Sequence, residues 1–176
     1  MENKEFETSE EKCWEQLEEF NNVYHLFNEI ARTPVKYHTD GTGYTTNKLG
    51  EIRYFNIELK SRNQIYLDGG IISGATDKGG YTGDTIMIES HKVADMLLDN
   101  INGLEPLYIN FLDDGTVIIF NLNKLKKRPV KSGLMNIKSK GYKKFEVAKR
   151  QFLYLSDAAI YKNGKLIKRA GEEFNV

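Results

Sequence analysis

The chain has 176 residues, 40% of them hydrophobic, and its 25 basic and 25 acidic side chains cancel to a net charge of zero. That length can bury one core without staples, which points to a single domain. One cysteine excludes a disulfide scaffold, and no run approaches the ~20 apolar residues of a membrane span.

The charges are unevenly placed. Residues 1–30 hold nine Glu against Lys4 and Lys12, whereas residues 124–150 hold eleven Lys and Arg against Glu146 alone. Each cation near a phosphate releases condensed counterions, so the basic block, with Lys126, Lys127, Arg128, Lys143, Lys144, Lys149 and Arg150, is a candidate nucleic-acid surface. Tyr142, Phe145, Phe152 and Tyr154 interleave with it. A solvated basic face with core aromatics is the plain alternative. The first twelve residues are acidic and lack the apolar stretch of a secretory signal, so a soluble, cytoplasmic protein without a membrane partner is expected.

Residues 9–31 read as an amphipathic helix, with Cys13, Leu17, Phe20, Tyr24, Phe27 and Ala31 at spacings of three and four, ended by Thr33-Pro34. Cys13 on that stripe is read as a buried thiol. Residues 35–46 and 51–62 are β-prone and flank Asn47-Lys48-Leu49-Gly50, which predicts a hairpin. In its second arm Phe55, Ile57 and Leu59 take one face, and Tyr54, Asn56, Glu58, Lys60 and Arg62 the polar one. Residues 68–83, with six glycines, predict a mobile loop.

Residues 84–89 then predict a strand. A helix follows over 91–102, with Val93, Met96, Leu97, Leu98 and Ile101 inward and Gly103 at its end. Two further hairpins turn at Asp113-Asp114-Gly115 and Asn163-Gly164. The expected fold is α/β or α+β with a mixed central sheet flanked by helices. Residues 1–122 would form the core, and residues 123–176 a basic extension and small hairpin packed on the same domain.

Glu58 and Lys60, two apart on one strand, share a face. A carboxylate there can ligate Mg²⁺ or Mn²⁺, and an ammonium nearby can offset charge growing on an attacked phosphate. One carboxylate holds such an ion poorly. A turn centred near residue 49 puts residues that sum to 98 opposite one another, so Asp40 faces Glu58 as the second acid. Glu89 becomes a third ligand, and Lys92 an added cation, if the strand over 84–89 lies beside the Glu58 strand. The bland reading is an ordinary solvated face. His25, His38 and His91 have no zinc-site spacing.

Asp40 followed by Ile57-Glu58-Leu59-Lys60, after a helix and before a strand, a helix and a strand, resembles the αβββαβ restriction-endonuclease-like core of the PD-(D/E)XK nuclease superfamily. The resemblance covers residues 10–120 and implies a Mg²⁺-dependent nuclease acting on DNA rather than RNA. It implies Asp40 and Glu58 as metal ligands, Lys60 as the lysine that assists water, and a helical glutamate, assigned to Glu18. A rival alignment takes Glu58 and Glu89 as the acids, with Lys92 or His91 replacing the lysine. Many phage nucleases share this core, so the chain would act in a host cytoplasm if phage-encoded, and a homodimer stays open. The alternative is an inactive nuclease-like module for nucleic-acid binding or phage assembly.

Overall fold

In the computed structural model, which describes residues 3–34, 39–73, 82–127, 129–137 and 146–168, the apolar stripe Cys13, Leu17, Phe20 belongs to the helix α1 (Asn3–Tyr24). The helix stops a third short of its predicted end. His25 takes a left-handed φ of 50°, and Asn21 bonds both backbone groups of Phe27, its Oδ1 accepting the N–H at 2.8 Å and its Nδ2 donating to the C=O at 3.1 Å. A side chain thus replaces the helical partners of the next turn. Phe27 is buried from the loop that follows, while Ala31 is an exposed residue of the strand β1 (Glu29–Arg32).

Next come β2 (Gly41–Thr46) and β3 (Ile52–Arg62), an antiparallel hairpin pairing Tyr44 with Tyr54 and Gly41 with Ile57. The register sums to 98 as predicted; residues 35–38, His38 included, lie outside the described residues. The glycine-rich segment is not the loop expected over its described part. Asp68 and Gly69, with φ of 51° and 83°, make a tight turn between β4 (Gln64–Leu67) and β5 (Gly70–Ser73), followed by β6 (Thr82–Gly83). Positive φ at both central positions matches the twist of a hairpin, and Asp-Gly suits it.

After β7 (Thr85–Glu89), α2 (Ser90–Asp99) buries Val93 and Met96, but Leu97 and Leu98 are 39% and 61% exposed, against expectation. Four apolar residues in six cover more than one helix face, and only the i, i+3 pair reaches the core. A 3₁₀ turn ends at Gly103, whose φ is 81°. Then follow β8 (Leu104–Leu112), β9 (Val117–Asn121), β10 (Val130–Ile137), β11 (Glu146–Tyr154), β12 (Ala159–Lys162) and β13 (Lys165–Lys168).

The result is a mixed α+β fold, with two α-helices among the described residues. Its central sheet runs β1-β2-β3-β8-β9-β12-β13, with β3 and β8 parallel and their neighbours antiparallel. One apolar cluster joins α1 to the sheet through Trp14, Leu17, Ile57, Ile109 and Ile119. The other lies on the opposite side, where α2 and a second sheet, β10-β11-β7, meet Tyr108, Ile118, Phe120 and Ile160. Residues 159–168 thereby extend the central sheet as its far edge. No helix among the described residues is long and apolar enough to cross a membrane.

Candidate functional site

The β2–β3 turn is fixed by Asn47, whose Oδ1 accepts the N–H groups of Leu49 and Glu51 at 2.9 and 3.0 Å, and by Gly50 at φ 81°. This turn sets the register, and the register sets the site. Asp40 sits one residue before β2 and continues the ladder through its own N–H, which donates to Ile57 O at 3.0 Å. Its carboxylate then accepts the Leu59 N–H at 2.6 Å. The acid is therefore fastened to the residue between Glu58 and Lys60.

Glu58 is only 7% exposed, because the polar face of β3 is covered at Asn56 and Glu58, while Tyr54 and Lys60 on the same face stay exposed. Asn56, two residues earlier, donates to Met96 O and Asp99 Oδ2, both at 3.2 Å, and ties α2 over β3. Arg62, two residues beyond Lys60, donates to Asn110 Oδ1 at 2.6 Å and to Tyr108 Oη and Met87 O, which ties down β7. The Tyr108 hydroxyl, raised to about 12 by burial, also donates to Met87 O at 3.1 Å.

With α2 so placed, Lys92 in its first turn brings Nζ to 3.0 Å from Glu58 Oε2. Asp40, Glu58, Lys60, Glu89 and Lys92 all line one cleft of about 340 Å³, closed on its other side by Ser9, Glu10 and Cys13 of α1. The condition attached to Glu89, that its strand lie beside the Glu58 strand, is not met, since the neighbours of β3 are β2 and β8. Glu89 reaches the cleft from a separate sheet, with its Oε2 3.5 Å from His91 Nε2. Glu10 and Glu18 are both exposed on α1, and of the two it is Glu10 that lines the cleft. Helical spacing puts Ser9, Glu10 and Cys13 on adjoining positions that period alone does not rank against Glu18.

Burial raises the Asp40 carboxyl above its ordinary value, opposed by the Leu59 N–H, Lys92 and Lys60. Burial first, and then the Asp40 charge, push Glu58 up to about 7, with Lys92 and Lys60 opposing. Burial works against the Lys92 ammonium, but Glu58, Asp40 and Glu89 outweigh it and hold its pKa above normal. Glu58, deeper in the protein, does not recover its desolvation from the pair. The Cys13 thiol is raised by burial, as an inert packed thiol would be.

Two acids that repel each other in a half-buried cleft suit a small divalent cation, which takes one or two carboxylates and completes its shell with water and phosphate oxygen. Asp40 and Glu58 fit that role. Among the described residues no group of three or more His, Cys, Asp or Glu side chains is placed to hold a metal together.

Of the basic block, Lys126 is exposed, and Lys127 donates its backbone N–H to Asp157 Oδ2 at 2.9 Å. Arg150 stands opposite Glu89 in the β11–β7 ladder. Lys149 is described only as backbone of β11; Arg128, Tyr142, Lys143, Lys144 and Phe145 lie outside the described residues. No family model, curated protein or solved structure matches the chain.

Proposed function

We propose that the chain is a Mg²⁺- or Mn²⁺-dependent nuclease of PD-(D/E)XK type that hydrolyses phosphodiesters, with DNA as the first candidate substrate. The observation that carries this reading is the convergence of Asp40, Glu58 and Lys60 in one cleft, with the Asp40 carboxylate bonded to the Leu59 N–H. A helix and an antiparallel β2–β3 hairpin precede α2 and β8, with β4 to β7 inserted between β3 and α2; β8 parallel to β3 and the two helices on opposite faces support it as well.

Asp40 and Glu58 would hold the divalent ion, which when bound polarises a phosphodiester oxygen and acidifies water. Lys60, the exposed cation of the cleft, meets the charge that grows on the attacked phosphoryl group. Lys92 keeps Glu58 oriented and offsets the negative charge of the two acids.

A second reading, a binding module without catalysis, is favoured by one feature. The Lys92 ammonium already occupies Glu58 Oε2, and no group of three or more metal-ligating side chains stands together among the described residues. Incubating wild type and Glu58→Gln with plasmid and end-labelled oligonucleotides in Mg²⁺, Mn²⁺ or EDTA separates the two. Cleavage that needs the ion and Glu58 is expected; wild type that cuts nothing in either metal would sink the nuclease reading.

A further inference from the structure

Alternation along β11 gives that strand two faces. Leu153 enters the core with Ile86 and Ile88 of β7, so Arg150, Phe152 and Tyr154 take the opposite face. Arg150 and Phe152 are paired with Glu89 and Met87 of β7, and directly opposed residues share a face. Phe152 and Tyr154 belong to neither apolar cluster and are partly open to solvent. Lys127 holds its ammonium 4.8 Å from the centre of the Tyr154 ring. Arg150 is half-buried, and its Nε is shut off from solvent with no hydrogen-bond partner among the described residues. The row ends at Glu89, on the wall of the Asp40–Glu58 cleft.

We propose that this row is a track for single-stranded nucleic acid, on which unpaired bases stack against Phe152 and Tyr154 while backbone phosphates meet Lys127 and Arg150. Side chains two apart on a strand repeat at about 6.7 Å, a step comparable to one nucleotide of an extended single strand. Rings and cations set side by side on one partly open face are what sequence-tolerant single-strand binding uses, because every unpaired base offers a π-face. A duplex keeps those faces inside its own stack. The reading of the cleft as a nuclease supplies the track's destination, and the proposal rests on it only there.

The test is binding in EDTA, where cleavage is absent, of dT12, U12 and a 12-base-pair duplex, across several salt concentrations. Wild type is expected to bind at least one single strand about tenfold more tightly than duplex. Phe152→Leu and Tyr154→Leu keep apolar bulk but lose the ring, and each should weaken single-strand binding at least about fivefold, with Tyr154→Trp restoring it. Arg150→Gln should flatten the log–log salt slope by about 0.7. Thermal melts establish that each variant is folded. No binding, equal binding to duplex, or leucine variants that bind like wild type would overturn the track. Ring-dependent binding in a protein that never cleaves would leave the track standing and remove the nuclease reading. Metal-dependent cleavage with ring-independent binding would do the reverse.

Discussion

Lys92 Nζ and Glu58 Oε2 lie 3.0 Å apart although 34 residues separate them, and neither side chain is more than 28% exposed. One contact thus couples the first turn of α2 to the acid in the middle of β3. Lys92→Met would leave the buried carboxylate without its nearest cation. We expect a loss of about 1–3 kcal/mol in urea unfolding, larger at pH 8 than at pH 5, because the stranded carboxyl is then still costlier to ionise.

The pH dependence of stability follows from Glu58 itself. Its folded value of about 7 lies above the ordinary 4.5. A carboxyl raised in the fold contributes stability that is fully present below about pH 4.5 and is lost as pH rises through about 7. Glu58→Gln cannot ionise and escapes that loss. Measured against its own value at pH 4, the variant should retain on the order of 3 kcal/mol more stability than wild type at pH 8, in EDTA. Parallel stability curves for the two proteins would remove the raised carboxyl.

Asp40 and Lys60 should separate binding from rate. Asp40→Asn keeps an oxygen for the Leu59 N–H but removes the charge that raises Glu58. It should weaken Mn²⁺ binding about tenfold or more in calorimetry and move the Glu58 carboxyl titration, followed by carbon NMR, downward. Lys60→Ala should bind Mn²⁺ as wild type does, yet lose on the order of a hundredfold in single-turnover cleavage. Under the rival pairing of Glu58 with Glu89, Glu89→Gln would cost more Mn²⁺ affinity than Asp40→Asn.

Gly41, next to Asp40, has no room for a side chain. A Cβ there would stand 2.6 Å from Trp14 Cζ2 and 2.9 Å from Ala31 O. Gly41→Ala should cost about 1–3 kcal/mol through overpacking. It should also alter the fluorescence of Trp14, the chain's one tryptophan, and reduce cleavage by displacing Asp40. A variant with native melt and emission would show that the ring moves freely aside.

The local parts of this architecture were legible from residue order. Asn47 and Gly50 define a turn, the turn defines a sum of 98, and that arithmetic puts Asp40 across from Glu58. Asp113-Asp114-Gly115 and Asn163-Gly164 mark their hairpins equally well. Asp68-Gly69 carries the same signal, hidden in a run of glycines that suggested an open loop. The end of α1 was not readable, because the apolar period continues through Phe27 while the stop comes from an Asn21 side chain bonding six residues ahead. Nor was the burial of Glu58, which depends on where a second sheet and α2 dock. Period-two alternation separates the faces of β3 but does not say which face meets water.

The ladder between β3 and β8 joins Tyr54 to Leu104 and Arg62 to Leu112, every pair 50 positions apart, whereas the β2–β3 hairpin joins Thr46 to Ile52 across six. Closing a long loop costs more chain entropy, and long-range parallel pairing is slow for that reason. The two halves of the cleft are therefore expected to form at different stages of folding, which stopped-flow refolding would resolve as two phases. Asp40 and Glu58 can meet as soon as the hairpin zips, but Lys92 arrives only once the long crossover has closed. During that interval the two carboxylates face each other with only Lys60 nearby. A divalent ion present in refolding buffer would then speed the first stage, and high salt would partly substitute for it, while neither would hasten the second.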